Sequence, residues 1–158
     1  MNHTRKIIGF DTFQGFPSVH KGFDNAGTTV NTPGDLRGST LDELELSIEK
    51  YNMERHLNHI PNVQLVAGDF TQTIEAFLTN NPHLIVALLY LDFDLYEPTK
   101  LALDKILPIM PKGAVVAFDE LNCENFPGET TALSEIVGIN KLSLRRFPFE
   151  PWISYAVL

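Results

Sequence analysis

The stretch Val86-Ala-Leu-Leu-Tyr-Leu-Asp92-Phe-Asp94-Leu-Tyr96-Glu-Pro98-Thr99 constrains this chain more than any other. An apolar run this continuous reads as a parallel strand buried on both faces. It ends in two carboxylates two residues apart. Side chains alternate across a strand, so Asp92 and Asp94 are expected on one side. A second apolar run, Gly113-Ala-Val-Val-Ala-Phe118, ends in Asp119-Glu120. Ligands in open α/β sheets gather at the carboxyl ends of strands. Neighbouring strands lie roughly 5 Å apart, so the two acidic pairs could meet around one ion. Without a cation or a shared proton they would repel one another. An all-oxygen set suits a hard cation such as Mg²⁺ or Ca²⁺ rather than zinc. The bland alternative is a pair of solvated loop residues capping the helix that begins near Pro98.

The other signals alternate strand and helix. Lys6-Ile-Ile-Gly-Phe10 reads as a short strand, and the residues from Ser18 to Gly38 form a long aperiodic loop, which in a compact domain is usually functional or mobile. Thr40-Leu-Asp-Glu43 is a capping box, with Leu41, Leu44, Ile48 and Tyr51 on one helical face. Val63–Ala67 is a strand closing on Gly68-Asp69-Phe70, and a short helix follows with Ile74, Phe77 and Leu78 inward. Pro98 suits the first turn of the next helix, which carries Leu101, Ile106 and Leu107. A helix from about Thr130 to Val137 ends at Gly138, and strands near Leu142–Phe147 and Ser154–Leu158 suit an antiparallel pair. This alternation predicts a three-layer α/β sheet in a single domain over 1–158.

Composition narrows the function. A net charge of −8 with no basic cluster argues against nucleic acid. One cysteine, Cys123, allows neither a disulfide framework nor a thiolate metal site within the chain. No apolar run reaches membrane-spanning length and the first residues lack a signal-peptide core, so a cytoplasmic setting without membrane contact is expected. Neither a G-x-G-x-x-G nor a Walker motif occurs. Asp11 can serve a ribose or simply form a turn, and Asp69 can cap a helix or contact a base.

The runs Phe10-Asp-Thr-Phe-Gln-Gly-Phe-Pro17, Tyr90-Leu-Asp-Phe-Asp-Leu-Tyr-Glu-Pro-Thr99, Phe118-Asp-Glu-Leu-Asn122 and Pro127-Gly-Glu-Thr130 resemble the macrocin O-methyltransferase family, over essentially the whole chain. These are sugar O-methyltransferases that use S-adenosylmethionine, and the branch methylating the 3-hydroxyl of deoxyhexoses is the most similar. The resemblance implies a Rossmann-like class I methyltransferase sheet, mostly parallel with a C-terminal antiparallel pair. It implies Mg²⁺ held by Asp92, Asp119 and Glu120, although many relatives carry Asp-Asp at the last two positions. It further implies Asp94 as general base, Asp11 at the cofactor ribose, Asp69 with Phe70 beside the adenine, and the loop before Thr40 as a lid over the sugar. A sugar substrate and a homo-oligomer are the partners expected.

Relatives carry a further segment before Phe-Asp-Thr-Phe, with the first sheet strand and its glycine-rich loop. A fragment or truncated product with an incomplete cofactor site is therefore expected, and a partner chain supplying the strand is the alternative. Two competing functions are a degenerate domain that binds metal and sugar without turnover, and an Mg²⁺-dependent phosphotransferase or hydrolase. No Lys or Ser/Thr phosphate motif follows the acids to support the last.

Overall fold

The computed structural model describes residues 5–25 and 30–158, which form two compact units. The first comprises the chain up to Ser18 together with Thr32–Ala76. Its strands β1 (Ile7–Asp11) and β2 (Val63–Ala67) pair in parallel, with Asp11 opposite Ala67. Between them runs helix α1 (Leu41–Glu54). The expected capping box closes its start: the Glu43 N–H donates to Thr40 Oγ1 at 3.3 Å, and the Thr40 N–H donates to Glu43 Oε2 at 2.8 Å. Leu41, Leu44 and Ile48 are half-buried as the periodicity requires, whereas Tyr51 is exposed. Helix α2 (Phe70–Asn80) begins in this unit, with Ile74 fully buried.

The second unit comprises Val19–Asn31 and Phe77–Leu158. Its sheet has the order β3-β4-β6-β5, from β3 (Leu88–Leu91), β4 (Val115–Phe118), β5 (Arg145–Phe147) and β6 (Glu150–Val157). β3 and β4 are parallel, while β4–β6 and β5–β6 are antiparallel. Helices α3 (Tyr96–Ile106) and α4 (Gly128–Ile136) complete it. Gly138 adopts φ +88° after α4, and its N–H returns to the Leu133 carbonyl at 2.9 Å, the expected left-handed helix stop.

Burial departs from the sequence reading at β3. The strand was expected to be covered on both faces, yet Leu88 and Tyr90 are 61% and 45% exposed while Leu91 is buried. β3 lies at the end of its sheet, and only its Leu89–Leu91 side packs inward. β4, flanked by strands on both sides, is the one with the dense environment: Val116 and Phe118 have no exposed surface. In α3 the inward residues are Ala102, Leu103 and Ile106 rather than Leu101.

Candidate active site

Parallel pairing of β3 with β4 sets the two acidic segments side by side. Leu91 is the register partner of Phe118, and the Asp119 N–H donates to the Leu91 carbonyl at 3.0 Å. The chain therefore leaves both strands at neighbouring points, one into Asp92–Asp94 and the other into Asp119–Glu120.

The strand-alternation argument for Asp92 and Asp94 does not hold, because β3 stops at Leu91. Asp94 instead takes a left-handed backbone, φ +60°, a conformation that Asp and Asn adopt more readily than most residues. That turn carries its side chain inward, to 9% exposure, while Asp92 stays exposed. Burial, and then the charges of Asp92, Glu120 and Asp119, push the Asp94 carboxyl up to about 7. A group poised there exchanges a proton near neutrality.

Glu129, in the first turn of α4, is a member of this cluster to which the sequence reading gave no role; its only signal was the Pro127-Gly-Glu-Thr130 run. It has no exposed surface. Burial drives its pKa up to about 8, the charges of Asp94, Asp119 and Asp92 add to this, and its bond from the Glu120 N–H opposes it. Two carboxyl oxygens, Glu129 Oε1 and Glu120 Oε2, are buried without a hydrogen-bond partner. Buried acceptors left unsatisfied are costly, and a proton or a cation relieves that cost.

Tyr90 sits beside them. Its hydroxyl donates to Asp119 Oδ1 at 2.5 Å, and burial together with that bond raises its pKa. The acids fit a hard cation by chemistry, yet among the described residues no three ligating side chains converge on one point. A cavity of about 170 Å³ adjoins the acidic turn, lined by Leu121, Asn122, Cys123, Arg146, Pro151 and Trp152. Register places it at the same sheet end as the acids, since Phe118 pairs with Ser154 and Arg146 pairs with Ser154.

The expected cofactor residues lie in the first unit, at the ends of its two paired strands. The Asp11 carbonyl accepts the Gly68 N–H at 2.9 Å, so the residues following β1 and β2 stay adjacent. Asp11 Oδ1 accepts the Phe13 N–H at 2.7 Å, and Asp69 Oδ1 accepts both the N–H and the hydroxyl of Thr71 at 2.8 Å. The turn-forming and helix-capping readings of these two acids are thus both realised, with one oxygen of each so engaged. Phe70 is 7% exposed and packs edge-on against Phe10, centroids 5.1 Å apart, so its ring belongs to the core. No helix among the described residues is long and apolar enough to cross a membrane.

Residues 1–136 match the family model described as macrocin-O-methyltransferase (TylF). A crystal structure of CalS11, a calicheamicin methyltransferase, superposes with a TM-score of 0.89 at 36% identity, covering 99% of this chain and 61% of that one. The apo structure of CalS11, described as a TDP-rhamnose 3'-O-methyltransferase of calicheamicin biosynthesis, gives 0.80 at 33% identity, covering 99% and 60%. The O-methyltransferase NovP shares the fold, with a TM-score of 0.70 at 21% identity over 98% of this chain and 60% of its own. No curated protein sequence matches. This chain thus spans about three fifths of the length of the CalS11 chains it resembles.

Proposed function

The chain belongs to the macrocin-O-methyltransferase family, and on that premise we propose that it carries the acid–base and metal-binding part of an S-adenosylmethionine-dependent O-methyltransferase acting on a sugar hydroxyl. The observation that carries the reading is Asp94, buried against three other acids and poised to titrate near neutrality. A deoxyhexose on a nucleotide or glycoside is the acceptor class, in line with what CalS11 is described as methylating.

The donor set of Asp92, Asp119 and Glu120 is all oxygen and strongly acidic, which suits Mg²⁺, and the orphaned Glu120 Oε2 supplies a ligand atom with no competing bond. Asp11 and Asp69 would serve the ribose and adenine side of the methyl donor, while Phe70 would contribute backbone rather than ring. S-adenosylmethionine supplies an electrophilic sulfonium methyl group, and Mg²⁺ makes a hydroxyl bound to it more acidic. With the donor bound, Asp94 would take the proton from the acceptor hydroxyl as that oxygen bonds to the methyl carbon and the methyl–sulfur bond breaks, leaving S-adenosylhomocysteine. Tyr90 restrains Asp119 through its hydroxyl. The cavity beside Leu121 and Trp152 offers space for the rest of a sugar-sized acceptor.

The competing reading is a binding module that holds metal and sugar without turnover. One experiment separates the two. The chain is incubated with S-adenosylmethionine, TDP-rhamnose and Mg²⁺, and S-adenosylhomocysteine is measured by mass spectrometry against Asp94→Asn. Product from the unaltered chain alone supports the enzyme. Absence of product, with calorimetric binding of Mg²⁺ intact, supports the module.

A further inference from the structure

The loop before α1 is not uniformly a lid. Val19–Asn31 belongs to the second unit, and Asp24 and Asn31 within it are 2% and 9% exposed. Asp24 is buried because it does work at the start of α3. The first amides of a helix lack internal partners, and the N-cap residue Leu95 offers no side-chain acceptor. Asp24, 72 positions away in sequence, takes that place: the Tyr96 N–H donates to its Oδ1 at 2.6 Å. Its Oδ2 accepts the His20 N–H at 2.7 Å. Asn31 Nδ2 then donates to the Asp24 carbonyl at 2.6 Å and to the Asn125 carbonyl at 3.1 Å, tying the cap to the segment that enters α4.

Gly128 makes the approach possible. A Cβ there would sit 2.4 Å from the Tyr96 nitrogen and 2.5 Å from Asp24 Oδ1. The same start of α4 holds the other acidic turn. Glu129 Oε2 accepts the Glu120 N–H at 3.0 Å, and Thr130 Oγ1 accepts the Asn122 N–H at 2.8 Å.

We propose that Asp24 is a positioning residue: a cap supplied from the loop that holds the Asp92–Asp94 turn in register with the Asp119–Glu120 turn. The proposal rests on the methyltransferase reading for its consequence, since Asp24 acts through Asp94.

The test measures amide hydrogen exchange and methyl-transfer kinetics on the chain bearing Asp24→Ala, Asp24→Asn or Asn31→Ala. Asparagine keeps an oxygen for the Tyr96 N–H but sets its amide NH2 against the His20 N–H, so it should recover only part of the cap. Loss of a cap typically corresponds to about a tenfold change in a local equilibrium. In Asp24→Ala the amides of Phe93–Tyr96 should exchange about tenfold faster relative to Val116 in β4, and kcat should fall by a similar factor with KM little changed. Asp24→Asn should fall between the unaltered protein and the alanine variant in both. Should Asp24→Ala not fold, a faster Tyr96 amide in Asn31→Ala supports the cap and an unchanged one overturns it. Unchanged 93–96 amides in Asp24→Ala overturn the proposal. An unaltered chain that transfers no methyl group overturns the functional reading, and the amide pattern alone then decides whether Asp24 positions the turn.

Discussion

Glu129 Oε2 accepts the backbone N–H of Glu120 at 3.0 Å, so a side chain on the first turn of α4 holds the turn that carries the second acidic pair. The bond fixes backbone rather than carboxyl groups, leaving the Asp119 and Glu120 side chains for other partners. It also places a buried acid among acids, and several expected behaviours of the protein derive from that crowding.

Divalent metal should bind where Asp92, Asp119 and Glu120 stand. Two neighbouring strand ends deliver these acids, and Glu120 Oε2 is buried without a partner. Calorimetric titration with Mg²⁺ or Mn²⁺ should give heat with the unaltered chain and markedly less with Asp92→Asn. Equal heats for the two would remove Asp92 from the ligand set.

Asp94→Asn should lower methyl transfer on the order of 10²–10⁴-fold, the usual cost of losing a general base, and leave metal binding nearly intact. In the unaltered protein the rate should climb with pH to a plateau, with the limb at or below about pH 7. Asp94 titrates at about 7 without metal, and a bound cation favours its charged form. A variant retaining near-full turnover would show that the metal alone activates the hydroxyl.

Stability without metal should fall as pH rises. Asp94 and Glu129 titrate at about 7 and about 8 in the folded chain, against ordinary values of 3.8 and 4.5. Between these limits the folded state keeps protons that the unfolded chain has released. The stabilisation is therefore full below the ordinary carboxylate range and is lost as pH climbs through 7 and 8. Thermal melting in chelator should show a lower Tm at pH 8.5 than at pH 5.5. Glu129→Gln, which preserves an acceptor for the Glu120 N–H, should flatten that slope, and an unchanged slope would contradict the assignment.

Gly128→Ala should destabilise by about 1–3 kcal/mol, the range for overpacking a tight interior site. The added methyl meets backbone at Tyr96 and Leu95, which cannot move aside as a flexible side chain would. Urea unfolding of the two proteins measures it, and a loss within 0.5 kcal/mol would show that the helix starts can part without cost, using the ordinary range for innocuous substitutions (~0.5 kcal/mol) as the threshold.

What the sequence by itself determined is what neighbouring residues decide among themselves. The Thr40–Glu43 capping box, the helix stop at Gly138 and the acids following two apolar runs all depend on contacts within a few positions, and each occurs as read. Tertiary structure decided the rest. Strand alternation would have put Asp92 and Asp94 on one side, but β3 ends at Leu91 and a left-handed turn buries Asp94 while Asp92 stays exposed. The apolar run of β3 looked doubly covered, yet only its Leu89–Leu91 face packs inward while Leu88 and Tyr90 on the other face are exposed. Asp24 and Glu129 carried no periodic signal, because a side chain that satisfies a backbone amide 72 or 9 positions away obeys no local spacing. Such partners are chosen by where folding brings the unsatisfied ends of strands and helices, and burial then makes each bond costly to lose.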